Sequence, residues 1–325
     1  MKYGLLTYTD TPTGTNIGDY IQSLAARQYL PQVDQLLNRE RLDDYDDDEV
    51  KLIMNGWFTH TPSHWIPAKN IHPHFVAFHI NHSVQSRMLT QEGITYLKTH
   101  GPIGCRDLFT TELLQSKGVP AFYSGCLTLT LDLKYKVADK ERGDDIYIVD
   151  PIFNIEEGET LLKSPRSFLS ALLRGKFIDL FRKKRLINRI IPKEIRKKAI
   201  YTHHQLPPND IPDSERFRIA EDLLHRYAKA KLVITSRIHC ALPCLALGTP
   251  VIFIDSFSDS SNKSRLKGLT DLFNRIEVNL KTGEIHYMYK NDSTPVSGHK
   301  IYPNPSAYLR LADSLKESCK KFIAG

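Results

Sequence analysis

The run KLVITSRIHCALPCLALGTPVIFI, from Lys231 to Ile254, constrains this chain more than any other stretch. Five residues that are mostly β-branched or apolar lead to Ser236, and an apolar segment of helical length then closes at Gly248, with Pro250 just behind it. Glycine past the last helical residue and proline soon after are ordinary stop signals of a helix. A second apolar run, PVIFID, follows. Strand, helix and strand in that order call for parallel pairing, and a parallel sheet needs cover on both faces.

The same alternation recurs along the chain. KYGLLTYT is a short apolar strand, and the loop TPTGTNIGDY leads into the helix-like run IQSLAARQYL, which stops before Pro31. VKLIMNG, FVAFHI, PIGCRD and PAFYSG are four more strand candidates, and ELLQSKG closes a helix at Gly118. DDIYIVDP starts a second series that AIYTHHQ resumes. It continues in SERFRIAEDLLHRYAKA, where Phe217, Ala220, Leu224 and Tyr227 fall at helical spacing. The 325 residues, 41% of them hydrophobic, suffice for two domains of roughly 150 residues each. The expected architecture is α/β, with two Rossmann-like domains whose parallel sheets face a cleft. Residues 1–135 form the acceptor-side domain and 136–303 the donor-side domain, with a basic insertion at about 155–198. Residues 304–325 form a C-terminal helix packing back on the first domain. Open parallel sheets bind ligands at their carboxyl edges, so residues just after strands are the ones to read.

Charge is uneven. The formal net charge is +7, yet residues 174–198 alone hold eleven Lys or Arg against Asp179 and Glu194, which leaves the remainder slightly acidic. Phe177, Ile178, Leu180, Phe181, Leu186, Ile187, Ile190 and Ile191 make this stretch amphipathic. It suits peripheral contact with an anionic membrane or a lipid-phosphate acceptor. The competing reading is a solvated basic helix whose Lys and Arg stems cover an apolar seam. Nucleic acid is a rival partner and is not expected. No apolar run approaches the roughly twenty residues of a membrane-spanning helix, and MKYGLLTYTD lacks the order of a signal peptide. A cytoplasmic protein, possible attachment being to the inner face of the membrane, is the expectation. Five cysteines form no CxxC pair, so they read as buried apolar residues rather than a disulfide or zinc framework.

The chemistry concentrates at Ser-Arg-Ile-His. Ser236 is a natural N-cap, which brings free backbone N–H groups and the positive end of a helix dipole to the point where Arg237 and His239 begin. Such a site attracts anions. Arginine offers a planar fork to a carboxylate or phosphate, and histidine can donate to an anion or exchange a proton near neutral pH. Taken alone, the tetrapeptide reads more readily as a capped helix with a surface arginine and a core histidine.

Its surroundings change that balance. The element Asn16-x-Gly18-Asp19 with its helix (Gln22, Ala25), the strand KLIMNGWF, the segment GPIGCRDLFTTELLQSKGVPAFYSGCLTLTL and the SRIH unit with LALGTPVIFI occur in an order that resembles the polysaccharide pyruvyl transferase family. The resemblance implies a fold like that of GT-B type glycosyltransferases, phosphoenolpyruvate as donor, and a glycan or lipid-linked oligosaccharide acceptor in surface polysaccharide biosynthesis. The family's histidine, tied to donor binding or catalysis, matches His239, with Arg237 beside it. Two departures stand out. Many members carry a D-P-A-F-like segment where this chain has SGCLTLTL, from Ser124 to Leu131, and a Gly-rich turn where it has Asn55-Gly56-Trp57. The acceptor side is therefore expected to differ, and residues 155–198 have no counterpart.

Making a pyruvate ketal from phosphoenolpyruvate needs a proton at the methylene carbon, attack by a sugar hydroxyl on the adjacent carbon, loss of phosphate and closure by a second hydroxyl. The protein must hold two anionic groups, offer an acid and relieve the hydroxyl of its proton. No metal or organic cofactor is required, only phosphoenolpyruvate as co-substrate. Ser236, Arg237 and His239 are the donor-binding candidates, with Lys263 and Arg265 from the loop after PVIFID; a solvated loop charge is the alternative for these two. Asp19, just ahead of the first long helix, is the leading base, although an acid there also suits the helix dipole. Asn16 and Gly18 shape that turn, glycine permitting close approach of a ligand. Asn55, Trp57, Arg106 and Gly125 fall on the cleft and acceptor side, Arg106 leaning toward local pairing with Asp107. Six histidines between His60 and His82 match no metal-binding spacing. His79, ending FVAFHI, is expected to face the cleft as a second acid or acceptor contact, and His203 and His204 sit similarly after AIYT. Two rival functions remain: a GT-B type glycosyltransferase using a nucleotide sugar, and a non-catalytic assembly protein docking through its basic segment.

Overall fold

The computed structural model of the chain describes residues 1–8, 14–152, 176–206, 211–256, 264–289 and 301–325. Its first sheet contains β1 (Lys2–Thr7), β2 (Gln35–Asn38), β3 (Val50–Phe58), β4 (Ile71–Ile80), β5 (Ile103–Cys105) and β6 (Ala121–Tyr123). They lie in the order β2-β1-β3-β4-β5-β6, and every pairing is parallel. The second sheet contains β7 (Ile146–Val149), β8 (Ile200–Thr202), β9 (Leu232–Thr235), β10 (Val251–Asp255), β11 (Asn274–Val278) and β12 (Ile285–Met288). Its order is β8-β7-β9-β10-β11-β12, parallel except for the antiparallel edge strand β12. Two parallel-dominated α/β sheets are thus present, as expected, with the same order of strands. β2, β11 and β12 lie outside the strands read from the sequence: they are four or five residues long, at or next to a sheet edge, with polar residues interleaved.

Helices α1 (Ile17–Arg27), α2 (Lys176–Ile190), α3 (Lys193–Lys198), α4 (Asp213–Lys229), α5 (Ile238–Leu247) and α6 (Tyr308–Ala324) matter most here. The side chain of Asn16 caps α1, its Oδ1 accepting from the Gly18 N–H at 3.1 Å. Asp19 therefore lies inside the first turn rather than ahead of it. α5 stops at Gly248, whose φ of +73° is the left-handed conformation that glycine adopts without a Cβ penalty.

One apolar cluster runs from the first sheet through α1, α4 and α5 to a face of the second. A second cluster covers the opposite face of the second sheet, where Ile148, Ile234, Ile252 and Ile276 meet Leu186 and Ile190 from α2, Ile195 from α3 and Ile191 between the two helices. Burying each such side chain contributes about 1.5–3 kcal/mol. The later part of the basic segment's apolar seam is therefore used on the protein itself, while Phe181, 73% exposed, and Arg182, Lys184, Arg185 and Arg189 face outward. Residues 155–175 of the proposed insertion lie outside the described residues. α6 docks on the first sheet: Lys51 Nζ donates to the carbonyls of Phe322 and Ile323, at 2.9 and 3.3 Å. All five cysteines are buried and free.

Candidate active site

An open parallel sheet offers a ligand crevice beyond its carboxyl edge where the strand order reverses. In the first sheet that point lies between β1 and β3, and in the second between β7 and β9. Tyr8 follows β1, Asp150 follows β7, and Ser236 follows β9. The two edges meet. Backbone bonds join them directly, since the Ile17 N–H donates to the His204 carbonyl at 2.8 Å and residues 15–16 pair antiparallel with 205–206.

Two adjoining cavities fill the junction. The larger, about 290 Å³, is lined by Tyr8, Gly14, Thr15, Asn16, Asp19, Arg39, Trp57, His60, Asn81, Gln205, His239 and Arg265. The narrower, about 150 Å³, shares Asn16, Gln205, His239 and Arg265 and adds His204, Ser236, Arg237, Ile238 and Leu266. Asp19, Arg237, His239 and Arg265, far apart in sequence, are thereby brought to one place.

The narrower cavity opens at the start of α5. Arg237 is the N-cap of that helix, and no side chain among the described residues caps it. Ser236 was expected in that role, but its hydroxyl is already committed, donating to the Asp150 carbonyl at 2.6 Å. The first helical N–H groups keep their positive end toward the cavity without a competing serine. Arg237 itself is held by Asp150: its Nε donates to Oδ2 at 2.7 Å.

Several buried polar atoms around these cavities have no hydrogen-bond partner among the described residues. They include His239 Nε2, Arg265 Nε, His204 Nδ1, Arg106 Nε and Nη1, and Arg39 Nη1. A buried group left unpaired costs about 1–3 kcal/mol, so a cluster of them at a cavity favours a polar ligand there. Burial, followed by the charges of Arg106 and Arg265, holds the His239 imidazolium far below its usual pKa, so the ring is neutral without a ligand. Burial and the Arg106 charge likewise push Arg265 down to about 10. Burial raises the Asp19 carboxyl, although Arg39, Arg265 and Arg106 oppose the shift. Asp19 accepts from Gln22 Nε2 at 3.0 Å.

The wall beneath β1 and β3 has another chemistry. Arg39, 3% exposed, lies against the rings of Tyr8 and Trp57, its Cζ 4.7 and 5.0 Å from their centroids. Its Nε and Nη2 both reach Glu40 Oε1 at 2.8 Å. Burial alone would raise the Glu40 carboxyl, but the Arg39 charge and the Thr59 hydroxyl take it down to about 2. Glu40 Oε2 also accepts from the N–H groups of His60 and Thr61, both at 2.8 Å. Sequence reasoning missed Arg39, Tyr8, His60, Asn81 and Gln205. The usable signal was position for two of them, because Tyr8 and Asn81 each follow a parallel strand by one residue.

The remaining candidates sit elsewhere. His79 was expected to face the cleft, but it is buried, its Nδ1 2.6 Å from Asp107 Oδ2 and 3.0 Å from the Thr110 hydroxyl. Burial takes it down to about 4; the alternation of β4 turns it toward the helix that begins at Leu108. Arg106 is 1% exposed behind the cavities, 3.7 Å from Asp107, acting on His239 and Arg265 by charge rather than by lining the wall. Asn55 is buried beneath α1, where its Nδ2 donates to the Gln22 carbonyl at 3.0 Å. Gly125, with φ +75°, lies under α6, where a Cβ would stand 3.1 Å from Leu311. Trp57 does line the larger cavity, with Arg39 and the His60 ring against it. Lys263 lies outside the described residues.

Comparison with known proteins agrees with the order of the motifs. A family model described as polysaccharide pyruvyl transferase matches residues 16–258. No curated protein matches. Among solved structures, an uncharacterised protein of Klebsiella pneumoniae subsp. pneumoniae NTUH-K2044 is 13% identical over 85% of this chain and 93% of its own, with a TM-score of 0.44. The E. coli heptosyltransferase WaaC with ADP is 11% identical over 99% of this chain and 100% of its own, with a TM-score of 0.33. Likeness at that level says nothing about substrate.

Proposed function

Because this chain belongs to the polysaccharide pyruvyl transferase family, we propose that it moves the enolpyruvyl group of phosphoenolpyruvate onto a pair of hydroxyls of a surface-polysaccharide sugar, forming a pyruvate ketal. The observation that carries this reading is the set of buried polar nitrogens around the start of α5, on His239, Arg265 and His204, that have no partner among the described residues. A compact ligand with two anionic groups satisfies such a set better than a neutral one.

On this reading phosphate and carboxylate take the narrower cavity, among Arg237, Arg265, His239 and the first N–H groups of α5. The saccharide takes the larger cavity, where Asn81, Gln205, Asn16 and Arg39 present planar polar groups beside Tyr8 and Trp57. Asp19 lines the larger cavity, which shares His239 and Arg265 with the narrower one. Its raised pKa makes it a stronger base than an ordinary carboxylate, suited to take the proton of the attacking hydroxyl. A proton goes to the methylene carbon, the hydroxyl oxygen bonds to the adjacent carbon, phosphate leaves, and the second hydroxyl closes the ring. A bound dianion raises the affinity of His239 for a proton, which makes the imidazolium available as the acid in the loaded site. None of these steps calls for a metal or an organic cofactor.

Incubation with phosphoenolpyruvate and candidate glycans, following phosphate release, tests this function. Release of a nucleoside diphosphate from a nucleotide sugar instead would establish the glycosyltransferase alternative. For attachment, the exposed basic face of α2, with Phe181 beside it, is proposed to adsorb on anionic lipid, while the second sheet covers Leu186 and Ile190. No helix among the described residues is long and apolar enough to cross a membrane. Equal sedimentation with neutral and anionic vesicles would remove this proposal.

A further inference from the structure

We infer that Asp150 is the positioning residue of the donor site: it fixes the strand-to-helix turn and aims the Arg237 guanidinium at the bound anion. This rests on the donor site proposed above. Asp150 directly follows β7, the strand at the switch point of the second sheet, and its backbone is turned to a φ of +40°. A non-glycine residue held in that region is strained and persists only where its surroundings require it.

Those surroundings are the motif itself. Oδ2 accepts from Arg237 Nε at 2.7 Å and from the His204 N–H at 3.0 Å. Oδ1 is 2.8 Å from His203 Nδ1. The Asp150 carbonyl accepts from the Ser236 hydroxyl at 2.6 Å and from the Ser236 N–H at 3.2 Å. One residue, 1% exposed, therefore ties β7, the segment after β8 and the start of α5 together. A guanidinium has a fork of five donors. Binding through Nε fixes its plane, and a fixed plane is what bidentate recognition of a carboxylate or phosphate requires. An asparagine at 150 would keep the shape but lose the charge that holds Arg237 Nε.

The test is calorimetric titration of the full chain with phosphoenolpyruvate and, separately, with inorganic phosphate. The variants are D150N, R237Q, R237K and D150N/R237Q. D150N is expected to weaken uptake by about tenfold or more, the scale of one hydrogen bond to a charged group. In the R237Q background the same change is expected to cost no more than about twofold, because residues acting through one another are not additive. R237K keeps the charge, yet a single ammonium cannot serve Asp150 and the ligand with one fork; it is expected to bind as weakly as D150N. Should D150N be poorly folded, R237K still decides. Unchanged uptake in D150N or R237K, or multiplicative losses in the double variant, would overturn the inference. Uptake of phosphate but not of phosphoenolpyruvate by the wild type would sink the proposed function alone, and the same variants would then be judged on phosphate. Uptake of neither anion overturns both.

Discussion

The two sheets share one strand order, and at the carboxyl edge of each a buried carboxylate holds an arginine by its Nε. Asp150 does this for Arg237 in the second half, and Glu40 for Arg39 in the first. Each carboxylate also accepts loop N–H groups, that of His204 in one half and those of His60 and Thr61 in the other. What comes after the strand differs. β9 runs almost at once into α5, so Arg237 stands at the start of a helix that no side chain caps among the described residues. Arg39 is instead enclosed by the rings of Tyr8 and Trp57, among side-chain amides. The same clamp thus serves two surfaces: a helix start favours concentrated negative charge, whereas aromatic and amide groups suit a ring carrying hydroxyls.

The largest effect should come from the donor half. His239→Ala removes the proposed acid and an unpartnered donor, and turnover is expected to fall on the order of 10³-fold. Single-turnover phosphate release checks this. A variant with wild-type release would break the assignment of the narrower cavity. Arg39→Gln should separate the halves: the acceptor KM rises about 10- to 100-fold, the scale of a lost charged hydrogen bond, while phosphoenolpyruvate uptake stays within about twofold. Arg237→Gln should show the reverse. If Arg39→Gln impairs donor uptake instead, the division between cavities is wrong.

The pH dependence sharpens the boundary between them. Asp19 must be deprotonated to act as a base, and its burial raises the carboxyl above its ordinary range. kcat/KM should therefore rise with pH through that raised value, by about tenfold per unit on the acid limb. The limb should vanish, along with most of the rate, in Asp19→Asn. A limb that survives in this variant would assign it to another group.

The second half was the more legible of the two from sequence. LVITSRIHCALPCLALG carries its strand, helix and glycine stop within one contiguous stretch, so the place of Arg237 and His239 at a helix start could be read from local signals. Arg39 had none: it lies in Asn38-Arg39-Glu40-Arg41, an ordinary solvated charge run until Tyr8 and Trp57 close on it from other strands. His79 failed for a related reason. Its place at a strand end was right, but which side of the sheet it faces depends on Asp107, which approaches only in the fold. Ser236 looked like a cap because caps are local; its real partner is 86 residues away.

The smallest predicted effect lies where the two halves touch. Gly18, in the first turn of α1, abuts the second half: an added Cβ would stand 3.0 Å from His239 Cβ and 3.3 Å from its Nδ1. Alanine is the better helix former by about 1 kcal/mol, so Gly18→Ala should change the melting temperature little. The methyl must nevertheless push the imidazole or α1 by a few tenths of an ångström. Displacements of about 1 Å at a reacting group cost roughly 10²-fold, so a several-fold loss of kcat is expected, with donor uptake nearly intact. Stability and rate would then move apart at one residue, which a purely structural contact between the halves does not produce. Equal kcat for Gly18→Ala and wild type would mean that His239 tolerates displacement, and that its position against α1 is packing rather than part of the chemistry.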